Sequence, residues 1–161
     1  MFYLKKILLS FVLLFGVSCI TIEKDIEIAG IVSWDYWKQN AGWADYDAPD
    51  FFIDYNKLEI LKEKIKPGGY AFIVFATAFC LDCEEEVPKA FRVFSEAGIE
   101  PGAVTLVGLD KNNEEPSGTY GKYKPKSVPA VIVLHNGKEI GSVFGSFKSL
   151  IDDLIDIIER K

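Results

Sequence analysis

The fold is decided by residues 70–91, which read YAFIVFATAFCLDCEEEVPKAF. Tyr70 to Ala76 is a near-continuous apolar run of strand length, which predicts a strand buried on both faces. From Val87 onward, apolar residues recur at helical spacing, so the sequence predicts a helix that Gly98 ends. Cys80 and Cys83 lie between these two patterns. The stretch therefore predicts two thiols at the point where a buried strand gives way to a helix.

Further elements are predicted on both sides of this stretch. Before it, Asn56 can cap a helix, with Glu59 three residues on, and Pro67-Gly68-Gly69 stops that helix. After it, the patterns indicate a strand over 103–109, a loop or short helix over 114–126, a strand over 130–134, a hairpin at Asn136-Gly137, a strand over 138–144 and a helix capped by Ser146. A parallel pair followed by an antiparallel hairpin predicts an α/β sandwich of about 110 residues, with a central mixed β-sheet flanked by helices.

Composition excludes several functional classes. The chain has 161 residues, 49% hydrophobic and 26% charged, which is typical of one globular domain. Its 18 Lys and Arg against 24 Asp and Glu give a net charge of −6, and no stretch gathers enough basic residues to bind nucleic acid. Three Cys and one His are too few for a disulfide scaffold or for a closed zinc site within one chain. We therefore expect neither a metal nor a cofactor.

The N-terminus has the three-part pattern of a secretory signal. Lys5 and Lys6 precede the apolar run Ile7 to Phe15, which is shorter than the about 20 residues that a transmembrane helix needs. The following residues, Gly16 to Cys19, resemble the end of a bacterial lipoprotein signal, in which the cysteine is lipidated and becomes the first mature residue. The alternative is an ordinary cleaved signal with an incidental Cys19.

Three segments follow from this reading. Residues 1–18 are predicted to be the signal peptide, 19–55 an N-terminal extension and 56–161 the α/β domain. Loss of the signal leaves 16 Lys and Arg against 24 Asp and Glu, a net charge of −8. We expect an acidic protein of the bacterial cell envelope, exported and anchored to a membrane through its lipid on the extracytoplasmic side.

The extension is unusually aromatic. All three Trp of the chain lie in it, and its aromatic residues are Trp34, Tyr36, Trp37, Trp43, Tyr46, Phe51, Phe52 and Tyr55. Side chains of this size bury about 150 to 250 Å² each, so we expect the three Trp to pack as a layer against the domain core. The alternative is that the cluster forms a binding surface.

The two domain cysteines are suited to thiol chemistry. Because they are three positions apart at the start of a helix, both sulfurs face the same side of the first turn and can form a disulfide. The unpaired N–H groups and the helix dipole favour a thiolate on Cys80, the predicted nucleophile, while the more buried Cys83 would resolve the mixed disulfide. Asp82, Glu84 and the two acids that follow oppose the dipole, so we expect an only modestly lowered pKa for Cys80.

Over residues 56–159 the sequence resembles the thioredoxin superfamily. Pro88 falls five residues after the second cysteine, where thioredoxins have the proline that kinks this helix. Val128-Pro129 opens the next strand, as the family's cis-proline does. Gly137 and Gly145 fall eight and sixteen residues beyond that proline, which is the family's spacing. The resemblance implies a thioredoxin-like sandwich with an aromatic-rich extension outside its common core.

The sequence departs from the family's pattern in three places. Phe79 replaces the usual Trp before the motif, and Leu81-Asp82 replaces Gly-Pro. Val74 stands where thioredoxins bury an Asp that handles the proton of the resolving cysteine. The sequence therefore assigns no proton acceptor to Cys83.

The resemblance implies a thiol-disulfide oxidoreductase, and the signal pattern predicts that it is exported. Because the carboxylates around the motif oppose a strongly acidic thiolate, we expect it to act as a reductant or isomerase. Its partners would be disulfide-containing exported proteins and an upstream redox partner. The backbone of Val128 beside Pro129, together with Phe79, would hold the substrate chain as an added strand.

Two other functions stay open at this point. One is a redox-inert binding module whose CxxC is a structural disulfide or holds a metal. The other is a thiol peroxidase, because Thr77 and Cys80 form the Thr-x-x-Cys of that class, with Arg92 as the one nearby cation. His135 precedes the hairpin turn and is interpreted as a solvated hairpin residue without a catalytic role.

Overall fold

The computed structural model describes residues 26–161, a part of the chain that forms one mixed sheet with helices around it. The elements in chain order are β1 (Gly30–Val32), α1 (Trp34–Asn40), α2 (Tyr55–Ile65), β2 (Tyr70–Ala76), α3 (Leu81–Glu96), a 3₁₀ turn (Pro101–Ala103), β3 (Val104–Gly108), α4 (Thr119–Tyr123), β4 (Ala130–His135), β5 (Lys138–Phe144) and α5 (Leu150–Glu159). The signal peptide and Cys19 lie outside the described residues.

The sheet has the strand order β1-β3-β2-β4-β5. β2 and β3 are parallel, with Val74 opposite Leu106, because α3 carries the chain back across one face of the sheet. β4 runs antiparallel to β2, and the turn at Asn136-Gly137, where both residues have positive φ, reverses the chain into β5. The predicted α/β class, a mixed sheet flanked by helices, is confirmed.

The sheet separates two apolar clusters, because successive side chains of a strand point to opposite faces. Phe72 and Val74 of β2 contribute to the larger cluster, which also contains buried residues of α1, α2, α3 and α5. Ile73 and Phe75 contribute to the smaller one, against which the tyrosines of α4 pack. Helices therefore cover both faces, as the sequence predicted.

Both predicted helix caps are wrong. The cap of α2 is Asp54 and not Asn56, since the Asp54 side chain accepts hydrogen bonds from the backbone N–H groups of residues 56 and 57. The last helix begins at Leu150, after Ser149 and not after Ser146, because Phe147 is drawn into the core before the helix starts. Each pattern contained two residues of a type that caps helices, and the sequence alone did not distinguish between them.

The extension contributes an edge strand and a helix that the sequence analysis did not predict. β1 pairs antiparallel with β3, where Ile31 lies opposite Val107. Trp37 of α1 is fully buried and Trp43 nearly so, while the Trp34 ring stacks on Phe91 at 4.2 Å between centroids. The predicted aromatic layer is confirmed for the three Trp residues.

Among residues 26–161, no helix combines the length and apolar character needed to cross a membrane.

Candidate active site

Cys80 is the N-cap residue of α3. Its backbone is extended, with φ −92° and ψ 119°, and its Sγ accepts a hydrogen bond of 3.1 Å from the backbone N–H of Cys83. Buried β2 delivers the chain to this point, and the exposed backbone donors of the first helical turn then face the sulfur. Cys80 is half-buried and Cys83 is fully buried one turn later, and both are thiols in the structure.

The pair is electrostatically asymmetric. The side-chain hydrogen bond from Cys83 lowers the pKa of Cys80 to about 6, and the Cys83 backbone N–H acts in the same direction. The hydrogen bond to Cys80 and burial raise the pKa of the Cys83 thiol. These shifts favour a thiolate on Cys80, the predicted nucleophile, at neutral pH and a protonated Cys83.

The expectation of an only modestly lowered Cys80 pKa is wrong. It weighed the helix dipole against the neighbouring carboxylates and did not include the Cys83 thiol as a hydrogen-bond donor. The charge of Asp82 does raise the pKa of Cys80, but less than the hydrogen bonds from Cys83 lower it. A donor within the motif thus outweighs the charges around it.

The three glutamates that follow Cys83 bind partners other than Cys80. Glu84 accepts a hydrogen bond of 2.8 Å from the backbone N–H of Ala44 in the extension. Glu85 and Glu86 both bind the ammonium group of Lys89, at 2.9 and 2.7 Å. Glu86 is buried and also accepts the backbone N–H of Phe147, which ties α3 to the loop before α5. Glu84 and Glu86 therefore connect α3 to the extension and to the loop before α5, while Glu85 pairs with Lys89 at the helix surface.

Trp43 is a site residue that sequence reasoning missed. Its indole Nε1 donates a buried hydrogen bond of 2.7 Å to the carbonyl oxygen of Ala78, two residues before Cys80. The extension therefore holds the loop between β2 and α3 in place. The concentration of Trp in the extension was the available signal, but it carried no information about which carbonyl the indole would reach.

The Val128–Pro129 peptide bond, directly before β4, is cis. The next residue, Ala130, pairs with Phe75 near the end of β2 that leads to the motif. Pro129 is buried and its carbonyl oxygen accepts the backbone N–H of Gly145 at 2.9 Å. Within the described residues, the N–H and C=O of half-buried Val128 form no hydrogen bond with another backbone group. Both groups can therefore pair with an extended chain laid beside them.

The position expected to manage the Cys83 proton is apolar. Val74 is fully buried in the centre of β2, between Leu106 of β3 and Val131 of β4. The polar residue at the buried thiol is Thr77, whose backbone opposes the rise in the pKa of Cys83. Thr77 is itself buried, at the end of β2.

Within the described residues, the groups that a thiol peroxidase or a metal site would need are not placed at the two cysteines. Arg92, the cation that a thiol peroxidase would need, binds the carbonyl oxygens of Ala48 at 2.6 Å and Phe51 at 3.1 Å. Within residues 26–161, no three side chains of His, Cys, Asp or Glu come together as metal ligands. His135 ends β4, at the opposite end of that strand from Pro129, and its ring packs against Tyr70.

Comparison with known proteins finds no matching family model and no matching curated protein. Thioredoxins are among the solved structures to which the chain is similar. The thioredoxin of Fasciola hepatica is 19% identical, with 60% of this chain and 88% of that chain covered and a TM-score of 0.42. The reduced thioredoxin pre-protein of Schistosoma mansoni is 22% identical, with 60% of this chain and 88% of that chain covered and a TM-score of 0.41. Thioredoxin f2 of Chlamydomonas reinhardtii is 18% identical, with 62% of this chain and 90% of that chain covered and a TM-score of 0.43.

The fold is defined by the chain's own topology. A parallel β2–α3–β3 unit is followed by the antiparallel β4–β5 hairpin and α5, with Cys80 and Cys83 at the start of α3 and Pro129 before β4. The described part of the chain is thus a thioredoxin-like α/β domain, the fold of the thioredoxin superfamily, with its CxxC at the strand-to-helix junction.

Proposed function

We propose that this chain is a thiol-disulfide oxidoreductase that reduces or isomerises disulfides of exported proteins. The observation that carries the proposal is the pairing of Cys80 and Cys83 at the start of α3. The half-buried Cys80 has a pKa lowered to about 6, and a protonated, fully buried thiol lies one turn away. A structural disulfide or a metal ligand would require no such asymmetry.

The reaction consists of two exchanges. The Cys80 thiolate attacks one sulfur of the substrate disulfide, so that a mixed disulfide forms and the other substrate sulfur leaves as a thiolate. Cys83 then loses its proton and attacks the Cys80 sulfur, which releases the second substrate thiolate and leaves a Cys80–Cys83 disulfide. Two electrons pass to the substrate, and an upstream dithiol must return them. In isomerisation, a thiol of the substrate performs the second attack instead.

The Cys80 pKa supports the proposed direction of the reaction. In strong thiol oxidants the nucleophilic cysteine has a pKa of about 3.5, and this stable thiolate stabilises the reduced form of the protein. A value of about 6 stabilises the thiolate less, which favours donation of electrons to substrates.

Substrate trapping tests the chemistry. In a Cys83→Ala variant, Cys80 can still attack, but the mixed disulfide cannot be resolved, so we expect a substrate disulfide to accumulate as a covalent adduct. The matched control is Cys80→Ala, which should form no adduct. Equilibration of the wild-type protein with glutathione gives the second readout. A reduction potential below about −300 mV would indicate a structural disulfide and contradict the proposal.

The extracytoplasmic location is a separate part of the proposal. It is supported by the signal pattern of residues 1–18 and by Cys19 at its end. Two or three acyl chains on Cys19 would anchor the protein stably, whereas one chain binds a membrane only marginally. Mass spectrometry of the mature N-terminus should find a lipidated Cys19. An unmodified cysteine, or cleavage elsewhere, would reject the anchor.

A further inference from the structure

An open groove of about 540 Å³ lies beside the candidate active site, between residues 44–52 of the extension and the first two turns of α3. We call it the acidic groove, and define it by Asp45, Asp50, Phe52, Leu81, Glu84 and Glu85, which contribute to its lining. Leu81 directly follows Cys80, so the groove begins one residue from the nucleophile, about 3.8 Å between Cα atoms.

Two large apolar side chains of this groove face solvent. Phe52 is 83% exposed and Leu81 is 82% exposed, the two highest values among the exposed large apolar residues of the described chain. One comes from the extension and one from α3, so neither the extension nor the α/β domain alone would form the pair. Exposed apolar side chains grouped beside a reactive residue are typical of a binding surface.

Residues 44–52 form the wall of the groove that carries Phe52, and hydrogen bonds hold this wall in place. Arg92 of α3 binds the carbonyl oxygens of Ala48, Pro49 and Phe51 at 2.6, 3.3 and 3.1 Å. The N–H of Ala44 binds Glu84, at the other end of the same segment. The exposure of Phe52 is therefore a property of an ordered wall, and little ordering is needed when a ligand binds.

The groove has a net negative charge. Asp45, Asp50, Glu84 and Glu85 line it, against Lys89 and Lys148. The Lys89 side chain is only 12% exposed, and its ammonium group is bound by Glu85 and by the buried Glu86. Carboxylates therefore dominate the charge that a ligand meets, and they favour a cationic ligand over an anionic one.

We propose that the acidic groove binds the polypeptide segment next to the reacting cysteine of the substrate, and selects segments with a large apolar residue and a Lys or Arg near that cysteine. This inference rests on the proposed function. A chain bonded through sulfur to Cys80 extends about 10 to 14 Å over three or four residues, so it can reach Leu81, the next residue of α3. Leu81 lines the same groove as Phe52.

The test uses three short peptides, each with one cysteine in a disulfide with 2-mercaptoethanol. The first has Leu and Lys next to the cysteine, the second has Glu in place of Lys, and the third has Ser in place of Leu. The rate constant for reduction by the reduced wild-type protein is divided by that for dithiothreitol, which removes differences in the peptides' own reactivity. We expect the first peptide to be favoured about tenfold over each of the others. About 0.5 M NaCl should abolish the preference for Lys and retain the preference for Leu.

Two variants test whether the groove causes the preferences for Leu and for Lys. Phe52→Ser should reduce the preference for Leu, and Asp50→Asn should reduce the preference for Lys. The matched control is Ile60→Ser, which removes an exposed apolar side chain of α2 outside the groove and should retain both preferences. Equal normalised rates for the three peptides, or preferences that survive both groove variants, would overturn the inference.

Reduction of 2-hydroxyethyl disulfide, which is small and uncharged, separates this inference from the proposed function. A wild-type protein that reduces this compound but shows no peptide preference has the proposed activity without the groove's selectivity. A protein that reduces neither this compound nor the peptides contradicts both.

Discussion

The Cys83→Ala substitution should raise the pKa of Cys80. The largest cause of the low Cys80 pKa is the side-chain hydrogen bond from Cys83, which the substitution removes. The backbone N–H of residue 83 still donates to the Cys80 sulfur, so the pKa should rise from about 6 and stay below the ordinary value of 9.0. The matched variant Cys83→Ser retains a hydroxyl donor and should shift the pKa less.

The expected size of the effect follows from the environment of Cys80. Because this cysteine is only half-buried, water replaces part of the lost hydrogen bond, and we expect a rise of about one to two pKa units. At pH 7, a pKa of about 6 corresponds to about 90% thiolate. A rise of one unit lowers that fraction to about 50%, and a rise of two units lowers it to about 10%.

The pH dependence of alkylation measures this pKa directly. Brief reaction with iodoacetamide at a series of pH values, followed by mass spectrometry of the Cys80 peptide, reports the thiolate fraction at that cysteine alone. The order of pKa values should be wild type, then Cys83→Ser, then Cys83→Ala. If Cys83→Ala titrates with the wild-type pKa, the backbone donors of α3 are sufficient and the reasoning about the Cys83 thiol is refuted.

Three further predictions concern stability. Trp37→Ala should reduce the free energy of unfolding by about 3 to 5 kcal/mol because the ring is fully buried, while Tyr36→Ala on the exposed side of α1 should change the denaturation midpoint little. Trp43→Phe should reduce it by about 1 to 3 kcal/mol, since the buried carbonyl oxygen of Ala78 loses its donor; an unchanged midpoint would show that water replaces the indole. The lowered pKa of Cys80 should make the reduced protein more stable as the pH rises from about 6 to about 8, and this gain should be absent in denaturation curves of Cys80→Ser.

The position of the cysteines could be predicted from sequence because local patterns encode it. The apolar run of β2 and the helical spacing of α3 are properties of neighbouring residues, and the predicted strand limits at Tyr70–Ala76 and Lys138–Phe144 agree with the structure. The hairpin at Asn136-Gly137 was equally predictable, because few residues other than Gly and Asn adopt positive φ at low cost.

Several features that the sequence did not predict depend on partners far away in the chain. Glu86 lies in a run of three glutamates, yet its carboxylate is buried against Phe147, 61 positions later in the chain. β1 is only three residues long and too short for a periodic pattern, so its pairing with β3 could not be read from its own sequence. The role of Trp43 likewise depends on a carbonyl oxygen 35 positions away.

The sequence by itself thus determined the order of the elements from α2 to α5, the strand-to-helix position of the CxxC and which cysteine meets the helix N-terminus, because propensity, periodicity and turn chemistry act between near neighbours. Only the tertiary structure decided the chemistry around that motif. Packing gave the three glutamates after Cys83 partners other than Cys80, brought the extension against the loop before Cys80, and placed Phe52 and Leu81 in one groove. The physical reason is that burial, hydrogen bonding and charge depend on distances in space, and the chain sets those distances only when it is folded.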